Sequence, residues 1–262
     1  MASLALSPAG AAFDAIAEAF DATFDPWLSV AAQRRSVWRA LLAAFPEGAQ
    51  VLEIGGGTGT DAAWLIDHGR EVLLTDAAPA MVAQASRKVG ARRCLNLAAE
   101  QLGELADEGQ LFDGAYSNFA ALNCVDDLAP VGRALARLVR PGGKVVLVVF
   151  GPLSPGEMIV EAIRGRFENC FRRLRRGETP ASLRGRRFTV RYHARADLVL
   201  AMAGFRLLNA KAIGLFVPPS AAEPWISRHP RLLAAMEAAD RVFARRFWWL
   251  GDHVAYTFER AA

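Results

Sequence analysis

The 262-residue chain lacks most of the features that announce a membrane protein, a metal centre or a disulfide framework. Its apolar run Val145 to Phe150 is far shorter than the roughly 20 residues needed to cross a bilayer. The N-terminal stretch has no charged segment leading into an apolar one, so no secretory leader is expected. The three cysteines, Cys94, Cys124 and Cys170, fit neither metal-ligand nor redox spacing, and reduced thiols are expected. Histidine is scarce, with four in the chain and no H-E-x-x-H pair, so no metal site is expected. Internal repeats and low-complexity linkers are missing as well.

What is present supports a folded α/β enzyme. Hydrophobic residues make up 53% of the chain, enough for a full core and too many for a disordered one. Short apolar runs alternate with stretches of helical spacing. Two N-terminal helices are expected over Gly10 to Phe24 and Trp27 to Phe45, broken at Asp25-Pro26. Strands follow at Gln50 to Ile54, Glu71 to Thr75, Arg92 to Leu97, Leu111 to Ser117 and Lys144 to Phe150, with helices between them. That alternation predicts a doubly wound, mostly parallel sheet. After Gly151 the rhythm changes. Glu157 to Arg176 reads as a basic amphipathic helix, with Ile159, Ile163, Phe167, Cys170 and Leu174 on one face. A strand near Phe188 to Tyr192, a helix from Ala194 to Ala203, a strand from Phe205 to Phe216, a helix from Pro230 to Phe247 and a last strand from His253 to Glu259 complete the expectation.

Charge is uneven. The net charge is +4, yet Arg164 to Arg195 holds eleven arginines against two glutamates, a local +9 that leaves about −5 elsewhere. Such asymmetry marks an anionic partner or surface.

The most informative stretch is Val51-Leu-Glu-Ile-Gly-Gly-Gly-Thr-Gly-Thr60, a buried strand running into a glycine turn and a helix. Glycine lets the backbone approach a ligand where a Cβ would collide. The helix start offers free N–H groups. Asp76 follows at the tip of the next strand, where a carboxylate suits the two hydroxyls of a ribose. The unit is therefore read as a nucleoside site. Gly57, Gly59 and Ala62 also satisfy the dinucleotide fingerprint, so a flavin or nicotinamide oxidoreductase is an alternative. Against it stand about fifty helical residues before the unit and Glu53 two places before the turn.

Two later landmarks, Phe112-Asp113-Gly114 and Arg140-Pro141-Gly142-Gly143, complete an ordered set. Together with the glycine loop and Asp76 they resemble the class I S-adenosylmethionine-dependent methyltransferases, of small-molecule type, over roughly residues 10 to 150. The resemblance implies a seven-stranded Rossmann-like sheet of order 3-2-1-4-5-7-6, the last strand antiparallel. It divides the chain into N-terminal helices over the active site (1–49), a cofactor-binding core (50–150), a substrate cap (151–195) and completion of the sheet (196–262). It implies S-adenosyl-L-methionine as cofactor, with Gly55 and Gly57 beneath its methionine part, Glu53 and Gly56 also in contact with it, and Asp76 on the ribose. Ala77, Met81, Ala99 and Glu100 would lie about the adenine, and Asn118 and Phe119 at the sulfonium end. Ala98 stands where many relatives carry an adenine-binding Asp, so that contact is missing or moved. Phe13 and Phe20 stand where many carry a tyrosine, leaving Phe20 as apolar cover on the substrate side. Arg34 or Arg35 is expected to hold the cofactor carboxylate.

Methyl transfer from a sulfonium needs chiefly orientation and exclusion of water. A base is needed only for an acceptor whose proton has a high pKa. His253 and His193 are the candidate bases, with Asp252 placed to orient the former; Asn123 and Tyr192 are substrate-side candidates. The Pro-Pro-Tyr/Phe motif of nucleic-acid amino-methylating relatives is missing from Ser117-Asn118-Phe119-Ala120, and Cys124 follows Asn123 rather than proline. Nucleic acid is therefore disfavoured. The expected partner is a small-molecule metabolite accepting on oxygen or nitrogen. A lipid-like acceptor with peripheral membrane contact through the arginine-rich segment is the alternative, as is a catalytically silent partner subunit that keeps the cofactor site. High alanine and arginine usage suggests a GC-rich bacterial genome, and the reduced cysteines suggest a cytoplasmic enzyme. The oligomeric state is left open.

Overall fold

The computed structural model describes residues 6–175 and 177–261. A seven-stranded sheet forms its centre. The strands are β1 (Gln50–Ile54), β2 (Glu71–Asp76), β3 (Cys94–Asn96), β4 (Phe112–Ser117), β5 (Val139–Phe150), β8 (Phe205–Ile213) and β9 (His253–Arg260). Their order is β3-β2-β1-β4-β5-β9-β8. Pairs from β3 through β5 are parallel, and β9 enters antiparallel between β5 and β8. This is the expected 3-2-1-4-5-7-6 order once the separate hairpin β6 (Glu178–Leu183) and β7 (Arg186–Arg191) is set aside. Both faces of the central strands are buried, as parallel sheets require. One face packs Leu52, Ile54, Ala115, Val145 and Leu147 against α7 (Ala129–Leu138). The other packs Val51, Leu74, Tyr116, Val146 and Val148 against α3 (Leu28–Ala44) and α4 (Thr60–Asp67).

Several expected boundaries move. The first N-terminal helix divides at Ala15-Ile16 into α1 (Pro8–Asp14) and α2 (Ala17–Phe24). A short α6 (Leu102–Asp107) follows α5 (Pro79–Val89) and β3, although the sequence pattern had not marked it. The strand expected to reach Phe216 stops at Ile213, and the helix expected to reach Phe247 stops at Phe243 (α10, Pro230–Phe243). The helix expected over Ala194 to Ala203 is α9 (Arg195–Ala201).

The largest correction concerns Glu157 to Arg176. Only α8 (Pro155–Ile163) is helical there. Gly165 takes φ +72°, a left-handed conformation that ends the helix. Two 3-10 turns, Phe167–Asn169 and Arg172–Leu174, replace the rest, so the five apolar residues do not share one continuous helical face. Arg176 lies outside the described residues.

Candidate active site

The carboxyl ends of β1, β2 and β4 surround a cavity of about 190 Å³. It is larger than the engineered ~150 Å³ cavities known to bind small ligands. Its position, outside the carboxyl ends of parallel strands where their order reverses, is where open α/β sheets bind ligands.

The glycine loop forms the floor. The N–H groups of Gly55 and Gly56 both donate to the Thr75 carbonyl, at 2.8 and 3.0 Å, which welds the loop to β2. Gly55 takes φ +68°, and a Cβ there would sit 2.5 Å from that of Ala121. Gly57, at φ +56°, has open space where its Cβ would stand. One glycine is thus required by packing and the other opens a face to the cavity. Asp76 closes the cradle. Its carboxylate accepts from the Gly57 N–H and the Ala78 N–H, both at 2.8 Å. Burial pushes its pKa up, and the two backbone bonds pull against that shift. Each oxygen keeps a further lone pair for a ligand hydroxyl.

Glu53 lies beneath this loop, 1% exposed, with Oε2 unpartnered. Burial first, then the neighbouring Asp61 carboxylate, hold its pKa well above the usual carboxyl range. Asp61 in turn collects the far wall. It accepts from Trp38 Nε1 and Asn118 Nδ2 at 2.7 Å each, and meets Arg34 at 3.5 Å. The Arg34 guanidinium stands 5.2 Å from the Phe119 ring centroid and lines the cavity. Arg35 points away and pairs with Glu237 on the surface. Of the two arginines weighed for a ligand carboxylate, Arg34 is the one in place.

Phe119 and Ala120 both line the cavity with positive φ, 45° and 62°. Left-handed non-glycine residues are costly and cluster at functional sites. Nothing in Ser117-Asn118-Phe119-Ala120 announces this turn, because neither phenylalanine nor alanine favours it. N-terminal helices complete the enclosure. Phe13 and Phe20 line the cavity. Asp14 accepts from the Ala80 N–H at the start of α5, and Asp21 meets Thr58 of the glycine loop and Lys88 of α5 at 2.6 Å each.

All of Glu53, Gly55, Gly56, Gly57, Asp76, Ala77, Met81, Ala99, Glu100, Asn118, Phe119 and Phe20 line this one cavity. The other four sequence candidates stand behind its wall. His253 lies edge-on to Phe119 at 5.6 Å and stacks on Phe150 at 5.1 Å. Its Nδ1 is 3.4 Å from Asp252 Oδ2. His193 is buried, its Nε2 3.1 Å from the Leu122 carbonyl, and burial lowers its pKa. Asn123 is engaged in structure, donating to the Arg191 carbonyl at 2.6 Å and accepting from the Phe150 N–H at 3.0 Å. Tyr192 packs on Phe150, 5.5 Å between ring centroids. Asp61, Leu122 and Val125 line the cavity without having been singled out by sequence. Asp61 at the first turn of α4 was the one detectable signal, as an acid at a helix N-terminus beside the glycine loop.

A family model described as a methyltransferase domain matches residues 51–143. A demethylmenaquinone methyltransferase of Beutenbergia cavernae is 33% identical over 163 residues, 61% of this chain and 64% of that protein. A malonyl-[acyl-carrier protein] O-methyltransferase of Pectobacterium atrosepticum is 35% identical over 146 residues, 55% of each. The chain thus spans less than two thirds of the length of these curated relatives. Among solved structures, a Burkholderia thailandensis 1,6-didemethyltoxoflavin-N1-methyltransferase with bound S-adenosylhomocysteine aligns at TM-score 0.56 and 19% identity, over 97% of this chain and 88% of that one. At that identity the likeness speaks for the fold. The oxidoreductase alternative left open by Gly57, Gly59 and Ala62 is set aside by the family match across that very loop. With the strand order and the Asp76 cradle already in hand, residues 51–143 are similar to a methyltransferase domain, set in a sheet of the order such a domain was expected to have.

Proposed function

We propose that the protein transfers the methyl group of S-adenosylmethionine to an oxygen or nitrogen of a small-molecule metabolite by in-line displacement, in the cytoplasm. The observation that carries this reading is the cradle made by Gly57 and Asp76, open to the cavity and continuous with an apolar wall. The residues fit the cofactor. Asp76 would hold the ribose hydroxyls through charge-assisted bonds. Met81, Ala77, Ala99 and Glu100 would flank the adenine. Arg34 would meet the carboxylate, and the unpartnered Glu53 Oε2 would be completed by the ammonium. When bound, the cofactor supplies an activated methyl group on a sulfonium.

The chain's own contribution is placement and dryness. Phe13, Phe20, Phe119, Leu122 and Val125 give the cavity an apolar wall that excludes water from a polar transfer. Asp61 is committed to Trp38, Asn118 and Arg34, so it fixes the wall rather than taking a proton. An acceptor whose nucleophilic atom is already unprotonated suits such a site. A carboxylate oxygen meets that requirement, and the malonyl-[acyl-carrier protein] relative is named an O-methyltransferase. For an acceptor that carries a proton, His253 and His193 stay the proposed bases, each standing behind the cavity wall at Phe119 or Leu122.

Calorimetric titration with S-adenosylhomocysteine, with NAD and FAD as controls, tests the cofactor half. Binding of the first alone is expected. Methyl transfer from labelled cofactor to a panel of carboxylic, phenolic and amine acceptors tests the rest. Cofactor binding with no transfer to any of them would favour the catalytically silent partner subunit.

A further inference from the structure

Helix α8 is amphipathic the wrong way round. Its buried residues are Glu157 and Glu161, 5% and 6% exposed, while Ile159 and Ile163 stand 59% and 81% exposed. The reversal has a local cause. Arg173, itself buried, donates to Glu157 and to Asp252, and Arg172 also pairs with Glu157. Asn169 and Arg164 engage Glu161. The arginine-rich turns after α8 thus hold its acids inward and leave its isoleucines outside. The turns add Phe167, Phe171 and Leu174, each more than half exposed. Five large apolar side chains therefore project from sixteen consecutive positions, 159 to 174. Single exposed apolar residues need no explanation; five in one short segment mark a contact surface.

Among them stand exposed arginines. Arg164 is held by Glu161 and the Ala221 carbonyl. Arg166 and Arg175 are exposed and make no ion pair among the described residues. Glu168 is the one exposed acid in the segment. We propose that residues 159–175 form a peripheral docking surface for an anionic lipid bilayer, with the apolar side chains entering the headgroup–acyl boundary and Arg166 and Arg175 meeting lipid phosphates. Charge and shape select this occupant. Side chains that project from a helix end and two tight turns suit insertion into a fluid interface. A second copy of the chain in a two-fold contact would bring the same arginines face to face. Within the described residues no helix is long and apolar enough to cross a membrane, so the contact is with the surface. A series of contacts leads from this segment to the cavity wall. Arg173 sits 5.3 Å over the Phe150 ring, Phe150 stacks on His253, and His253 meets Phe119 of the cavity wall.

The inference is independent of methyl transfer, and its test reads lipid binding alone. The full chain is sedimented with vesicles of phosphatidylcholine, with and without phosphatidylglycerol. Binding to the mixed vesicles, weakened by salt, is expected, with little to phosphatidylcholine alone. Phe167→Ser with Phe171→Ser should lower binding more than tenfold. Arg166→Gln and Arg175→Gln should each lower it about fivefold, and only on anionic vesicles. Both sets of positions are exposed, so circular dichroism and S-adenosylhomocysteine affinity should not change. No binding to anionic vesicles at low salt, or binding indifferent to these substitutions, overturns the proposal. So does a dimer by sedimentation velocity that the phenylalanine substitutions dissolve, or retention of an acidic carrier protein by this segment while vesicles are ignored.

Discussion

The proposed cofactor half, residues 50–143, and the proposed cap, residues 151–195, are built on opposite rules. In the first, apolar residues go inside, and polar groups turn to the backbone or the cavity. Asp76 is satisfied by two main-chain N–H groups, and Glu53 is the one carboxylate left incomplete toward the cavity. In the second, carboxylates and an arginine go inside, and isoleucine and phenylalanine go out. The difference teaches where each region's specification resides. The first holds itself together by strand pairing and hydrophobic burial. The second is held to the core by a buried ionic cluster of Glu157, Arg173 and Asp252, which donates into the Gly151 and Asp252 carbonyls as well.

The sharpest way to break that contrast is Arg173→Ala. It takes one partner from each of two buried carboxylates, leaving Glu157 with Arg172 and Asp252 with Gln33 and His253. Burial alone would raise Asp252, but His253 and Arg173 outweigh it and hold its pKa well below the usual range. Removing one partner of a buried ion cluster costs about 3–5 kcal/mol. The cap should lose protection in hydrogen exchange, and the melting temperature should fall. A cap that stays protected would show that the ionic cluster does not hold it. Next in size, Asp76→Ala removes charge-assisted bonds from the cofactor half. S-adenosylhomocysteine affinity should drop well over tenfold by calorimetry, while the cap stays as it was. Unchanged affinity would take Asp76 out of the site.

These two halves were also unequally legible. The cofactor loop can be read from its residues because each acts through its own backbone or a near neighbour. Gly55 and Gly57 are needed by φ and by contact, and Asp76 by its place at the end of a strand. All eleven cofactor candidates accordingly line one cavity. The cap is not readable in that way. Ile159, Ile163, Phe167 and Leu174 fall at helical spacing, and helical periodicity is what the sequence offers. Gly165 breaks the helix, and the partner that turns Glu157 inward is Asp252, reached through Arg173 from 79 residues away. The left-handed turn at Phe119 and Ala120 is hidden for the same reason, since the strand neighbour that receives the Ala120 N–H is Val148. The setting of the histidines likewise depends on contacts distant in sequence. His193 and His253 fall close to the site, but the last shell is filled by Leu122 and Phe119.

An effect conditional on the acceptor is expected where the two regions meet. His253→Ala and His193→Ala should leave S-adenosylhomocysteine affinity nearly unchanged, since neither lines the cavity. For an acceptor that must lose a proton, the variant lacking the base should lose turnover about 10²–10⁴-fold, with a matching loss of the acidic limb of the pH profile, where the base is protonated. For a carboxylate acceptor, turnover should persist in both. Full activity of both variants on a protonated acceptor would remove them from catalysis.

The subtlest contrast is in proton linkage at Glu53. Burial raises its pKa in the folded chain well above the unfolded value. The native state therefore holds a proton that the unfolded state gives up between those two values. In that window stability falls as pH rises, because the folded chain binds more protons. Below the unfolded value the penalty vanishes. Glu53→Gln keeps the shape without the charge, so it should flatten this dependence and be at least as stable as the parent near neutral pH. It should at the same time weaken the cofactor, because an ammonium beside Glu53 favours the ionised carboxylate. Binding to the parent should then release a proton that binding to the variant does not. Calorimetry in buffers of different ionisation enthalpy reads that proton directly. Equal proton release from parent and variant would show that the incomplete Oε2 is not where the cofactor's positive charge is received.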